Sequence, residues 1–486
     1  MTDWCDVARV TIDELPDVSL LKIFEFYVDE EERIEAWHAL VHVCRKWRNV
    51  VFRSPRRLDL RLYCTASTPV SDTIDVWPLL PIKICINVME ASFNGHLLLL
   101  DDSLYAALGH NDRICQLSLF DAPSFKLEKV LAAIQKPFPA LTCLELLQPS
   151  YHGETAPVYP DSFLGGSAPC LQTLRLDCIP FPRLPKLLLS ATHLVDLDLR
   201  RIPYSGYISP EAVVTCLSGL TRLERLTIRF KSPRCRPDQK SWRPPPLTRT
   251  DLPVLTELNF KGVSEYLEDL VARINAPLLD KLSIVFFHQL IFDTPLLTQF
   301  ISRVPNLKTH DEAQLLVAFS DEETWVTFPR TPDGSHGTLQ LGISCRQPDW
   351  QLSSLAQVFS LPFAQALIPT VEHLYILEKG FTRRQWQDDI ESTQWLELFH
   401  PFTAVKALYM AREFTPRIVP TLLAPFEEGM TEVFPALQFL LPEEPLLFGG
   451  IPLGPAVPTE DIAKFVLARK LAGLPVSVSI WKGIML

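Results

Sequence analysis

The sequence predicts an α/β protein: a small helical module at the N-terminus, then a solenoid with parallel strands on one face and helices on the other. Three observations predict it. Apolar residues between positions 15 and 52 recur at helical spacing. From Leu58 onward the chain keeps returning to Leu-x-Leu preceded three residues earlier by another aliphatic, and capped helical patterns lie between these triads. The resulting boundaries are a tail over 1–12, a helical module over 13–53 and a solenoid over 54–486.

In the module, Leu20, Ile23, Phe24 and Tyr27 fall on one face of a first helix. Pro16 suits the entry to that helix, where a missing N–H is harmless, and Asp17 sets negative charge at the positive end of its dipole. The acidic run Asp29-Glu30-Glu31-Glu32 marks an exposed break. Trp37, Leu40, Cys44, Trp47 and Val51 then step by three, four, three and four, which reads as one further helix ended by Ser54-Pro55. About 40 residues is near the size below which a core seldom sustains itself, so this module calls for a partner surface or a neighbouring domain.

The segment Leu15-Pro16-Asp17-Val18-Ser19-Leu20-Leu21-Lys22-Ile23-Phe24, with Val43-Cys44-Arg45-Lys46-Trp47-Arg48 after the acidic break, resembles an F-box. With Ser54-Pro55-Arg56-Arg57-Leu58 it is similar in general style to F-box families of mushroom-forming fungi. The resemblance implies three helices that dock a Skp-type adaptor and, through it, a cullin. Matched by position, it assigns adaptor contact to Leu15, Pro16, Leu20, Leu21, Ile23, Phe24, Val43, Cys44 and Trp47. The bland reading of the same residues is an ordinary core.

The clearest triads after the module are Leu141/Leu144/Leu146 and Leu171/Leu174/Leu176. Others start at Leu194, Leu223, Leu255, Leu279, Val371 and Val405, with looser copies at Ile114 and Leu339. First positions from 141 to 279 differ by 30, 23, 29, 32 and 24. Helices are predicted from Ser209-Pro210-Glu211, over 265–274 and over 296–304, and strands that all return the same way build a parallel sheet with one continuous core. Residues 307–339, with Phe319, Trp325 and Phe328, read as a long or doubled repeat of alternating strand character. At the C-terminus Thr459 caps a helix, Gly473 stops it, and Val476, Val478 and Ile480 alternate as a last strand that closes the end.

These triads resemble leucine-rich repeats. The copies depart from that family where Asn or Cys is expected three residues past the last leucine, because Pro149 and Ile179 stand there; Pro149, Pro180 and Pro203 point to turns set by fixed φ angles. With the leucines inward, the residue between them faces outward: Arg175, Asp198, Thr227, Asn259, Ser283, Tyr375 and Tyr409 are the substrate-facing candidates. As a set they define a binding face; singly, each is an ordinary solvated residue.

The 46 basic and 57 acidic residues give a net charge of −11, the wrong sign for a nucleic-acid partner. One stretch reverses it. Positions 222–249 carry nine basic residues and two acidic ones, mostly in a proline-rich loop with Arg234, Arg236 and Arg243, which predicts attraction of an acidic or phosphorylated target segment against the blander reading of a solvated loop. The 11 cysteines form no C-x-x-C pair and several sit in apolar patterns, which predicts reduced thiols. With no signal-peptide pattern and no membrane span, a cytoplasmic or nuclear location follows.

Nothing in the chain matches a phosphate loop, a G-x-S-x-G elbow or an H-E-x-x-H metal motif, so catalysis and cofactors are not expected. His38 and His42 stand four apart without a third ligand, and Asp333-Gly334-Ser335-His336-Gly337 reads as a turn. The resemblances together imply the substrate-recognition subunit of an SCF-type cullin-RING ubiquitin ligase. The alternative is a leucine-rich-repeat scaffold outside ubiquitination that uses its first helices as a cap.

Overall fold

The structure, a computed structural model, describes residues 12–28, 36–55, 58, 60–65, 74, 80–88, 97–148, 157–178, 180, 184–237, 249–288, 294–307, 314–328, 338–378, 392–428, 433–444, 447–448, 451–452 and 459–482. They fall into two compact units, Met1–Leu194 and Val195–Leu486.

The first unit opens with three helices, α1 (Asp17–Val28), α2 (Ala36–Val43) and α3 (Arg45–Arg53). Leu20 and Phe24 of α1 pack with Trp37, Val41 and Val51, all buried, and the Phe24 and Trp47 rings meet at 4.8 Å. The apolar period through 37–51 predicts one helix; the chain makes two. Cys44 is extended (φ −156°, ψ 171°), and its Sγ accepts the N–H of Trp47 at 3.5 Å, so the thiol starts α3 in the role a Ser or Asp would ordinarily fill. Lys46 Nζ donates to Leu15 O at 2.8 Å and Arg48 Nε to Val41 O at 2.9 Å, tying the ends of the helices together.

Five parallel strands follow, paired in sequence order: β1 (Leu62–Cys64), β2 (Ile82–Asn87), β3 (Ile114–Phe120), β4 (Cys143–Leu147) and β5 (Thr173–Asp177). Helices Leu97–Leu108 and Ser124–Ala133 flank β3, and a 3-10 turn at Phe163–Gly166 lies between β4 and β5. Ile82, Ile84, Ile86, Leu144, Leu146 and Leu174 are fully buried, the inward half of a period of two.

The second unit holds β6 (Asp196–Ile202), β7 (Arg225–Phe230), β8 (Thr250–Asp251), β9 (Glu257–Gly262), β10 (Ile274–Asn275), β11 (Lys281–Phe287), β12 (Gln314–Phe319), β13 (Glu323–Phe328), β14 (Thr338–Ser344), β15 (His373–Glu378), β16 (Ala407–Met410), β17 (Phe439–Pro442), β18 (Leu447–Phe448), β19 (Ile451–Pro452) and β20 (Ser477–Val478). Its main sheet runs β6-β7-β9-β11-β14-β13-β12-β15-β16-β17-β20; β8 with β10 and β18 with β19 form separate pairs. Helices stand between most strands, among them Pro210–Leu217, Ser264–Arg273, Pro295–Arg303, Pro348–Phe359, Ser392–Phe399, Thr415–Glu428 and Thr459–Leu471. Each unit is thus a solenoid-like alternation of strand and helix, as predicted.

Local chemistry explains the element ends. Ser209 Oγ accepts the N–H of Ala212 at 3.3 Å ahead of Pro210 at the first turn. Glu268 caps the neighbouring helix, its carboxylate receiving the N–H groups of Leu296 and Leu297 at 2.9 and 2.7 Å. Gly473, at φ 81°, ends the helix Thr459–Leu471 as expected. A left-handed residue stands two past the last leucine in three places: Asp121 (φ 53°) after Leu119 and Cys178 (58°) after Leu176, each just beyond its strand, and Arg201 (47°) after Leu199, inside β6 where the register with β7 shifts. Each is a single non-glycine residue bearing a modest conformational cost, and each has a proline two positions on in the sequence, Pro123, Pro180 or Pro203.

One feature departs from the all-parallel expectation. β13 is antiparallel to both neighbours, β12 and β14, whereas β14 is parallel to β11 and β12 parallel to β15. The doubled repeat predicted over 307–339 is therefore a three-strand meander set into the sheet, entered at its far side and left beside β11.

Candidate functional site

Two surfaces stand out, one in each unit. On α1 the inward face, Leu20 and Phe24 at 0% exposure and Leu21 close to it, belongs to the module's own core. The rest of the helix surface also carries large apolar side chains: Val18 is 60% exposed and Phe26 81%, Ile23 at the edge of the inward face is 44% exposed, and Val43 at the end of α2 is 58% exposed. A helix apolar on both sides ordinarily has both sides covered. Of the residues assigned to adaptor contact, Leu15, Cys44 and Trp47 are half-buried and Pro16, Ile23 and Val43 exposed, while Leu20, Leu21 and Phe24 are inside. Val18 and Phe26, the most exposed of the set, escaped the sequence reading. Their i, i+8 spacing places them on one side of α1, away from the periodic face that drew notice.

In the second unit the residues between the leucines form a row. Register places Asp198 beside Thr227, Thr227 beside Asn259, Asn259 beside Ser283 and Ser283 beside Gln340. The row continues through Thr327 and Leu316 to Tyr375 and Tyr409. Two residues earlier in each strand stands a row of alternating charge, Asp196, Arg225, Glu257 and Lys281, with Arg225 Nη2 3.2 Å from Asp196 Oδ2.

Thr227, Asn259 and Ser283 line a cavity of about 340 Å³. Arg200 and Arg229 reach it from β6 and β7, and Glu323, Trp325 and Gln340 from the meander. Asn259 Nδ2 donates to Glu257 Oε1 at 2.8 Å and to Thr227 Oγ1 at 3.4 Å; Ser283 Oγ donates to Gln340 Oε1 at 3.0 Å. Asp198 is buried beneath Arg200, whose Nη2 sits 2.7 Å from Oδ2. Lys261 Nζ donates to Glu323 Oε1, and Arg229 Nη2 stands 4.0 Å from that oxygen.

Tyr375 and Tyr409 stack at 4.1 Å and 11°, and Trp481 meets both edge-on at 6.0 and 5.5 Å, giving the far part of the row an aromatic character. Close by, Arg412 N–H donates to Glu443 Oε2 at 3.4 Å, yet burial raises the Glu443 carboxyl above its ordinary range. In the first unit Arg175 Nη1 and Ser118 Oγ both bond the Glu145 carboxylate, at 3.0 and 2.8 Å. Beside them burial, with the Glu145 charge adding to it, pushes the Cys143 thiol up to about 11, so it is no nucleophile at neutral pH.

The basic stretch is less available than its composition implies. Arg225 is paired with Asp196, and Arg249 Nε donates to Ala272 O at 3.2 Å. Arg234 and Arg236 are exposed on either side of Cys235, which is buried and anchors the loop's beginning. Arg243, the run 29–32, Pro149, Ile179 and residues 333–337 lie outside the described residues. Among the described residues no three His, Cys, Asp or Glu side chains are grouped to hold a metal ion, and no helix is long and apolar enough to cross a membrane.

Fold and surfaces together define a solenoid-like α/β protein with N-terminal helices, carrying an uncovered apolar helical face in one unit and a polar, pocketed sheet face in the other. No protein-family model matches the chain, and no curated protein matches it.

Proposed function

We propose that this chain is the substrate receptor of a cullin-RING ubiquitin ligase. In this reading the three N-terminal helices are an F-box that docks a Skp-type adaptor and, through it, a cullin. The later strands are leucine-rich-repeat units whose sheet face holds a protein target, and ubiquitin transfer is promoted by proximity. Such a protein works in the cytoplasm or nucleus.

The observation that carries the reading is the second apolar face of α1. Val18 and Phe26 lie away from the buried Leu20 and Phe24, Ile23 is exposed at the edge of that buried face, and an apolar patch on a small module marks a place for a partner. Another observation favours the scaffold reading, in which the helices are a cap: Trp37 Nε1 donates to Arg61 O at 3.1 Å, fastening α2 to the segment that enters β1.

Purification of the tagged chain from cells with the proteasome blocked separates the two. The receptor reading predicts recovery of a Skp-type adaptor and a cullin with the wild type and their loss with Ile23→Asp plus Phe26→Asp. Absence of the adaptor from the wild-type sample leaves the scaffold. Leu20→Asp and Phe24→Asp are unsuitable probes, because charges placed in the module's core would unfold it whatever it binds.

A further inference from the structure

We infer that the cavity on the sheet face of the second unit is a recognition pocket for one side-chain carboxylate, an Asp or Glu of the target, with an apolar neighbour of that residue lying on Trp325. The inference rests on the reading that this face binds a protein target, and it assigns the chemistry the face selects.

The charges decide the class of ligand. Two cations line the pocket, Arg200 and Arg229, and a third, Lys261, is bound to the lining residue Glu323; of the three, two are already engaged. Arg200 is gripped by Asp198, with Nε 2.9 Å from both carboxylate oxygens and Nη2 2.7 Å from Oδ2, and Lys261 is held by Glu323. Arg229 is left with its nearest carboxylate oxygen at 4.0 Å, beyond hydrogen-bonding reach. A half-exposed guanidinium in that position binds a planar monoanion in two-point fashion. A phosphate would bring roughly −1.5 to −2 charges against this single available cation, with the Asp198 and Glu323 carboxylates close by to repel it.

The neutral groups fit a peptide around that anchor. Asn259 uses its Nδ2 on Glu257 and Thr227, which leaves its Oδ1 to accept, and Gln340 uses Oε1 on Ser283, which leaves its Nε2 to donate. One acceptor on β9 and one donor on β14, on either side of β11, suit an N–H and a C=O of an extended backbone laid across the strands. Gly342 shapes the apolar side. A Cβ there would stand 3.0 Å from Thr324 O and 3.2 Å from Trp325 Cβ, so glycine lets the strands lie close with Trp325 half-exposed beside Val285.

The test is an array of random decapeptides with blocked termini, probed with the full-length chain and followed by titration of the bound sequences. Bound peptides are expected to share an Asp or Glu next to an apolar residue. Its change to Asn or Gln should weaken binding by about tenfold or more, the size of one lost charge-assisted bond. Arg229→Glu should abolish binding of the same set, and Ser283→Tyr, which fills the cavity without touching the charge, should weaken it as well. The inference is overturned if the bound peptides share no acidic position, if both variants bind as the wild type does, if a phosphoserine version is preferred, or if nothing binds. Adaptor recovery is followed in parallel. It persists when the pocket assignment alone is wrong and is missing when the ligase reading is wrong.

Discussion

Trp37 Nε1 donates to Arg61 O at 3.1 Å, a bond joining the first turn of α2 to the residue just ahead of the first strand. The ring is 2% exposed and lies against His38 and Phe52 at 3.9 and 6.2 Å. It therefore does two separable jobs, filling the core between α2 and α3 and joining the module to β1. Trp37→Phe keeps most of the filling and drops the bond, at a cost of about 0.5–1.5 kcal/mol. Trp37→Ala loses both and should cost about 3–5 kcal/mol. Chemical denaturation of the two variants checks this; equal losses would mean that the bond, not the ring, carries the effect.

Arg469 holds the last helix of the second unit. Its guanidinium is buried, with Nη2 donating to Leu437 O at 2.8 Å and Nε to Leu474 O at 3.1 Å. Burial lowers its pKa, but the carbonyls compensate the charge. Arg469→Met should cost about 1.5–3 kcal/mol for each charge-assisted bond not replaced by water, and should speed amide exchange in Thr459–Leu471 and β17 before the rest of the chain. Uniform exchange across the second unit would contradict that local role.

Glu443 gives a pH dependence with a definite sign. Burial raises its carboxyl in the folded chain, so the folded state prefers the protonated form more strongly than the unfolded state does. The group's contribution is therefore full below the ordinary carboxylate pKa. It is lost as pH climbs through that value to the higher one that Glu443 holds in the fold. Glu443→Gln should leave stability at pH 4 nearly unchanged and raise it at pH 7. Thermal melts at the two values read this directly, and destabilisation at pH 7 would reverse the assignment.

Much of the fold was legible because burial repeats. Leu144, Leu146, Leu174 and Leu176 are inside as their spacing predicts, and Thr227, Asn259 and Ser283 share one face because each lies between a buried leucine and a buried Ile or Phe. Strand direction was not legible. Thr324, Val326 and Phe328 alternate with Glu323, Trp325 and Thr327 in either orientation, since a period of two carries no polarity, and the antiparallel course of β13 could not be read. Glu323, Trp325 and Gln340 were missed in the pocket for the same reason: strand order, rather than local pattern, brings β14 beside β11 and β13 beside β14. Cys44 was hidden differently. It keeps the apolar period while its backbone turns extended, and thiols rarely cap helices, so one predicted helix became two.

The central claim is that the outer face of α1 is a docking surface, and titration of the purified chain with a Skp-type adaptor tests it most directly. Wild type should bind, and Ile23→Asp plus Phe26→Asp should weaken binding by about a hundredfold or more, since exposed apolar anchors of this size carry about 2 kcal/mol or more each at an interface. Its denaturation curve should stay within about 0.5 kcal/mol of wild type, as expected for exposed positions. No binding by the wild-type chain, or equal binding by the variant, would contradict the account.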